Sequence, residues 1–182
     1  GDGHDAPLGS GAGQLMYTLA SFFDNPYFRW HADQYGVEPA PPMIFNVHRP
    51  DMEGRSPADL PHAQVFPSNG WVAMHSNMAG PDDNILLLFK SNPRGSVSHD
   101  HASQNAFVLE AYRQPLAISS GYRQIHGSPH HRNWMQQTKA HNSILVDGIG
   151  QVARSHEAGG AITAFDNSEE FAYAIGNATE AY

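Results

Sequence analysis

From residue 65 onward the apolar positions of this chain fall in short bursts. Residues 71–76, 85–90, 105–112, 116–119, 141–147, 161–166 and 171–175 are rich in β-branched or aromatic side chains. Turn-forming clusters such as AGPDDN, DGIG and DNSEE separate them, which is the pattern of strands joined by tight connections. Within 105–112, Phe107, Leu109 and Ala111 alternate with Val108, Glu110 and Tyr112. That period of two predicts one face against a core and one open to water. Seven such runs with no helical periodicity between them predict a mainly β domain, an antiparallel β-sandwich.

The earlier residues read differently. Residues 1–13, GDGHDAPLGSGAG, are glycine-rich and predict a loop. From Gln14, Leu15, Leu19, Phe22 and Phe23 recur at helical spacing, which predicts a short amphipathic helix. Asn25 suits an N-cap and Pro26 the first helical position, so a second helix is expected from Pro26 to about Tyr35, closing at Gly36. Two such helices make an αα-hairpin. Pro39, Pro41, Pro42, Pro50, Pro57 and Pro61 then exclude regular helix. The expected organisation is a helical segment over 1–36, a proline-rich connection over 37–64, and a β-sandwich over 65–182. Because Tyr182 directly follows a strand pattern, the sandwich is expected to be truncated at its C-terminus.

Composition narrows the function classes. The chain has 182 residues, a formal net charge of −8 and no cysteine, so neither disulfides nor thiol chemistry is available. Its longest apolar run, 85–89, is strand-sized and too short for a membrane span. Charge is unevenly spread: between Lys90 and His141 lie six basic side chains and two acidic ones. Such a reversal within an acidic protein reads as an anion-facing surface or as scatter over strands that face different ways. Nucleic acid is the wrong polyanion, since no helix-turn-helix, zinc-finger or RNA-recognition pattern is present and the overall charge is negative.

Six of the twelve histidines lie between Ser98 and Gly148. His99 and His101, two residues apart, share a face if the segment is extended. His-x-His supplies two ligands of the three or four that zinc requires, and His141 is the natural third. A cupin-like barrel would place Glu four or five residues after the pair, where this chain has Asn105 or Ala106. The same histidines also read as hydrogen-bonded residues of a polar sheet surface. Tyr122, beside Arg123, reads as a proton-transferring phenol, its pKa lowered by the neighbouring charge, or as a half-buried aromatic. His130, His131, Arg132 and Trp134 offer cations and an aromatic platform suited to an acidic sugar, or else a solvated loop. Arg94, ahead of the His pair, can position an anion.

The segments SHDHASQNAFVLEAY, SSGY, GSPHH and AHNSILVDGIGQ, within 66–182, together resemble the C-terminal half of the heparinase II/III-like polysaccharide lyases, a group that includes exo-acting alginate lyases. The resemblance implies an α/α toroid joined to an antiparallel β-sandwich, with the catalytic cleft between them. The helices over 14–35 would be the last of that toroid. It also implies cleavage of uronate-containing acidic polysaccharides, heparin or heparan sulfate-like or alginate, by β-elimination in the bacterial periplasm or outside the cell. His99 matches an active-site histidine, while His101 and His141 match ligands of a divalent metal, zinc first. Two carboxylates of the family pattern are replaced here, by Ser103 and by Ser119 of the Ser119-Ser120-Gly121 segment. The toroid's own catalytic residues would precede Gly1, which leaves this chain one wall of the cleft. The competing reading is a non-catalytic carbohydrate-binding or structural β-domain.

Overall fold

The computed structural model describes residues 10–36, 49, 51–120, 125–168 and 170–182. They divide into two compact units, His4–Leu60 and one that begins its continuous run at Pro61 and ends at Tyr182.

The first unit holds helices α1 (Ser10–Phe23) and α2 (Pro26–Asp33), packed on each other. Asn25 caps α2 by accepting a hydrogen bond from the Tyr27 N–H at 2.9 Å, and Pro26 occupies the first turn, as the residue types predict. The buried stripe of α1 differs from the expected one. Gly13, Tyr17, Ala20 and Ser21 are its buried residues, whereas Leu15, Phe22 and Phe23 are exposed. Small side chains let the two helices approach, and the Arg29 guanidinium lies 5.5 Å from the Tyr17 ring centre, a cation–π contact. The helix also begins at Ser10 and takes in Gly11 and Gly13, two of the glycines that argued for a loop.

The second unit is antiparallel β-structure. Strands β1 (Ala63–Phe66), β2 (Trp71–His75), β3 (Ile85–Lys90), β4 (Ala106–Ala111) and β5 (Gln114–Ala117) form one sheet in sequence order. Strands β6 (Ala161–Asn167) and β7 (Ala172–Asn177) form a separate pair. Val65, Val72, Phe89 and Phe107 are opposite one another in register, so they line one face, and Val72 at its centre is fully buried. That face meets β7: a Cβ on Gly176 would come within 2.7 Å of the Phe89 ring, so only glycine permits this approach. The Asn105 side-chain amide donates to the Gly176 carbonyl at 2.9 Å.

Three strand assignments change. Residues 63–66 form a strand that the prolines on either side disguise. Strand β5 starts at Gln114 and contains Pro115, which an edge strand tolerates because it pairs on one side only. The 141–147 run is not a strand: it carries one isolated bridge, Val146 to Ile149, around a turn in which Asp147 and Gly148 both have positive φ. Its apolar side chains, Ile144, Leu145 and Val146, remain substantially exposed, as does Ile149 beyond the turn.

The connection from β3 to β4, residues 91–105, has no regular structure, and side chains hold it in place of strand partners. The Gln151 amide accepts from the Gln104 N–H at 2.7 Å and donates to the Gln104 carbonyl at 2.8 Å. It satisfies both backbone groups as a strand neighbour would. The Gln104 side chain does likewise, accepting from the Asn92 N–H at 2.7 Å and donating to the Ala158 carbonyl at 3.2 Å. Gly95 closes the arrangement: its φ is +76° and a Cβ there would lie 2.1 Å from the Ser155 carbonyl oxygen. Replacing Gln151 with Leu strands the buried Gln104 N–H, while the Gln104 carbonyl keeps the Ser143 hydroxyl at 2.8 Å, and one such group carries a desolvation cost of about 1–3 kcal/mol. Urea unfolding of the full-length protein is therefore expected to show Gln151→Leu destabilised by ~1–3 kcal/mol. A loss below about 0.5 kcal/mol, the usual range of surface changes, would contradict this role.

Candidate functional site

The His-x-His segment sits in this side-chain-anchored connection, not in a strand. Ser98 has a φ of +58° and the Asp100 N–H closes a turn on the Val97 carbonyl at 3.0 Å, so the segment is not extended and the two imidazoles meet different environments: His99 is exposed and His101 is 2% exposed. The residue between them is the anchor. Asp100 accepts from the Lys90 ammonium at 3.1 Å and from the Asn92 side-chain amide at 2.9 Å. Lys90 is itself 8% exposed, so losing Asp100 would leave a buried charge without its partner, which is costly.

Five imidazoles then form a continuous row. His99 lies 5.0 Å from His126, His126 lies 4.5 Å from His131, His131 lies 6.1 Å from His101, and His101 lies 5.2 Å from His141, all between ring centres. The first two rings are exposed, His131 and His101 are buried, and His141 is half-buried. A turn of π-helix, His131–Met135, supplies the middle of the row. His131 Nδ1 accepts from the Gly127 N–H at 3.1 Å, fixing that ring behind His126. The Ala102 N–H donates to the Gln136 carbonyl at 3.0 Å and ties the His-x-His segment to the same turn.

The sequence-derived site residues separate accordingly. His99 stands at the accessible end of the row. His131, expected to contact substrate, is 0% exposed, so it supports His126 and does not meet a ligand itself. His130 and Arg132 are exposed on the π-helical turn, and Trp134 carries the Lys139 ammonium 5.4 Å from its ring centre. Arg94 is exposed and its N–H is held by the Asn92 side chain at 2.7 Å, with no described contact to the rings. Tyr122 and Arg123 lie outside the described residues. The basic surplus is smaller at the site than along the sequence: Lys90 is paired internally, and Arg113 pairs with Asp82 beyond the far end of β4, about 20 Å away at strand rise. His126 escaped the sequence reading. Nothing in spacing joins it to His99, and only the density of histidines pointed to this loop.

His141 has both ring nitrogens engaged. Nε2 lies 2.9 Å from the Met135 carbonyl oxygen, which can only accept, so Nε2 carries the proton. Nδ1, 2.8 Å from Ser119 Oγ, then accepts from that hydroxyl. Burial, with the adjacent His101 adding to it, pushes the His141 pKa down to about 4, so the ring is neutral at neutral pH. Among the described residues the expected metal meets no donor set that suits it. Ser103 and Ser119 supply hydroxyls where carboxylates were in question; the former contacts Lys90 and the His101 carbonyl. Among the described residues no group of three or more His, Cys, Asp or Glu is arranged to hold an ion.

Comparison with known proteins follows the same lines. A family described as "Heparinase II/III-like, C-terminal" matches residues 58–182. Among solved structures, a heparinase III matches with a TM-score of 0.66 at 15% identity over 91% of this chain and 23% of that one. The heparan sulfate lyase HepC from Pedobacter heparinus matches with a TM-score of 0.61 at 13% identity over 87% of this chain and 22% of that one. At these identities the likeness is one of fold. The chain spans less than a quarter of the length of either structure. No curated protein matches it.

The His141 environment has a consequence for pH. Below 6.5 the unfolded ring takes up a proton that the folded ring refuses until about pH 4. The unfolded state binds more protons in that window, so stability is complete above 6.5 and falls as pH drops towards 4. Thermal melts of wild type and His141→Gln between pH 4 and 7 are expected to differ in slope, with the wild type losing up to ~3 kcal/mol more across the window. Parallel curves would contradict the assignment.

Proposed function

From the premise that this chain belongs to the heparinase II/III-like family, carrying its C-terminal domain over residues 58–182, we propose that it forms the histidine-bearing wall of a polysaccharide lyase cleft. The proposed reaction is β-elimination on a uronate-containing acidic polysaccharide. The observation that carries the reading is the exposed His99–His126 pair, its rings 5.0 Å apart, seated on imidazoles that the fold buries.

The chemistry asks for such groups. In a 4-linked uronate the C5–H bond must break, its electron pair forms the C4–C5 double bond, and the C4–O4 bond breaks as O4 takes a proton. An enzyme must therefore stabilise charge developing on the uronate carboxylate, accept the C5 proton and deliver one to O4. Imidazole changes protonation near neutral pH and serves either transfer. His99 is proposed as a proton-transfer group or carboxylate partner, and His126 as its neighbour on the substrate side. Exposed His130, Arg132 and Trp134 suit adjoining acidic sugars, since a ring face covers the sugar and cations meet its acid groups.

The substrate class proposed is heparan sulfate-like, with alginate as the second uronate polymer to test. The fold likeness to a heparan sulfate lyase supports that order. Such polymers lie outside cells, and export is proposed with them; no described helix is long and apolar enough to cross a membrane.

The test is an ultraviolet assay of the full-length protein, in which the new C4–C5 double bond absorbs. His99→Ala is expected to lower turnover by roughly 10²-fold or more, the scale of general acid–base catalysis, with folding unchanged by circular dichroism. His126→Ala is expected to lower kcat/KM on the same polymer. An unimpaired His99→Ala enzyme would remove His99 from the chemistry.

A further inference from the structure

The strongest disagreement between this molecule and its family resemblance is at the end of the imidazole row, where a metal is implied. His141 is clamped from both sides: the Met135 carbonyl takes its Nε2 proton at 2.9 Å, and the Ser119 hydroxyl occupies the Nδ1 lone pair at 2.8 Å. A neutral imidazole binds an ion through a lone pair, and this one has none to spare. The clamp extends into the backbone. The Ser120 N–H donates to the Ala140 carbonyl at 2.7 Å, beside the side-chain bond of the preceding residue. Ser119 therefore joins the end of the β5 segment to the start of the 141–147 segment, and the His141 ring carries the link on to the π-helical turn.

We propose that the Ser119–His141–Met135 hydrogen-bond clamp takes the structural place of a metal ion, so that this protein folds and holds its histidine row without one. A divalent ion crosslinks segments by binding charged or lone-pair donors from each. The clamp joins the segments of residues 119 and 141, and the π-helical turn through Met135, with neutral groups whose hydrogen-bonding capacity is already used between them; the His101 segment is tied to that turn separately, through the Ala102 N–H and the Gln136 carbonyl. The deciding position is 119. A hydroxyl there donates to His141 and completes the clamp, whereas a carboxylate would bring the negative oxygen ligand that His101 and His141 lack.

The experiment uses the full-length protein and needs no activity assay. Wild type is passed over a chelator, and its melting temperature is read with and without added zinc, alongside its zinc content by elemental analysis. The expected result is a melting temperature that neither chelation nor zinc moves by more than about 1 °C. Ser119→Ala is expected to melt roughly 1–2 °C lower with or without zinc, as loss of one exposed hydrogen bond predicts. Ser119→Thr, which keeps the hydroxyl, is expected to recover most of the loss. Ser119→Asp is expected to bind zinc and melt higher in its presence, and His141→Gln in that background is expected to abolish the gain.

A wild-type protein that retains stoichiometric zinc, loses it on His141→Gln and melts lower after chelation would overturn the inference. Zinc retained equally by wild type and His141→Gln, with a melting temperature that falls on chelation, would overturn it as well, because the row would then be held by an ion on its other histidines. A Ser119→Asp protein that folds yet stays indifferent to zinc would overturn the assignment of residue 119 as the deciding position.

Discussion

The connection between β3 and β4 depends on side chains doing what a strand partner does elsewhere. Gln151 satisfies both backbone groups of Gln104, the Gln104 side chain does the same between Asn92 and Ala158, and Asp100 fixes the buried Lys90 ammonium. Each group is withdrawn from water, so each is costly if left unmade and rigid once made. An irregular segment carrying two histidines thereby acquires the fixity of a sheet. Without this network the His99 ring would ride on a free loop, and the imidazole row would have no fixed end.

The row itself follows from a division of labour among chemically identical side chains. Buried His131 and His101 are positioned by the turns that carry them, through Gly127 for the former, and they form the floor on which His126 and His99 stand. Burial keeps the inner pair from contact with a ligand, and exposure leaves the outer pair open to one. At the inner end, His141 is held neutral by its surroundings and by the two groups that use its nitrogens.

Much of the architecture was legible in the chain, and where it was not the reasons are physical. Strand β3 begins with its continuous apolar run and ends one residue past it, at Lys90, and α2 begins at the residues whose types cap helices, because both signals are local. The turn between β4 and β5 was hidden because Tyr112 and Arg113 adopt φ of +53° and +60° without the glycine or asparagine that normally marks such a turn. Residues 141–147 have a strand's composition, but Asn142 spends its carbonyl and amide on Phe107, at 3.2 and 3.0 Å, and the chain then turns at Asp147. The site was legible as a concentration of histidines and not as a geometry. That His99 meets His126, and that Ser119 meets His141, depends on pairings across tens of residues that no periodicity records.

The central claim is that the exposed end of the imidazole row faces the acidic sugar. It is tested most directly by a crystal structure of the full-length protein with an unsaturated uronate oligosaccharide, the product of the proposed elimination. The account predicts a uronate carboxylate or ring oxygen within about 2.7–3.2 Å of a His99 or His126 ring nitrogen, with His131 and His101 still buried behind them. An oligosaccharide ordered in a cleft that touches neither His99 nor His126 would contradict it.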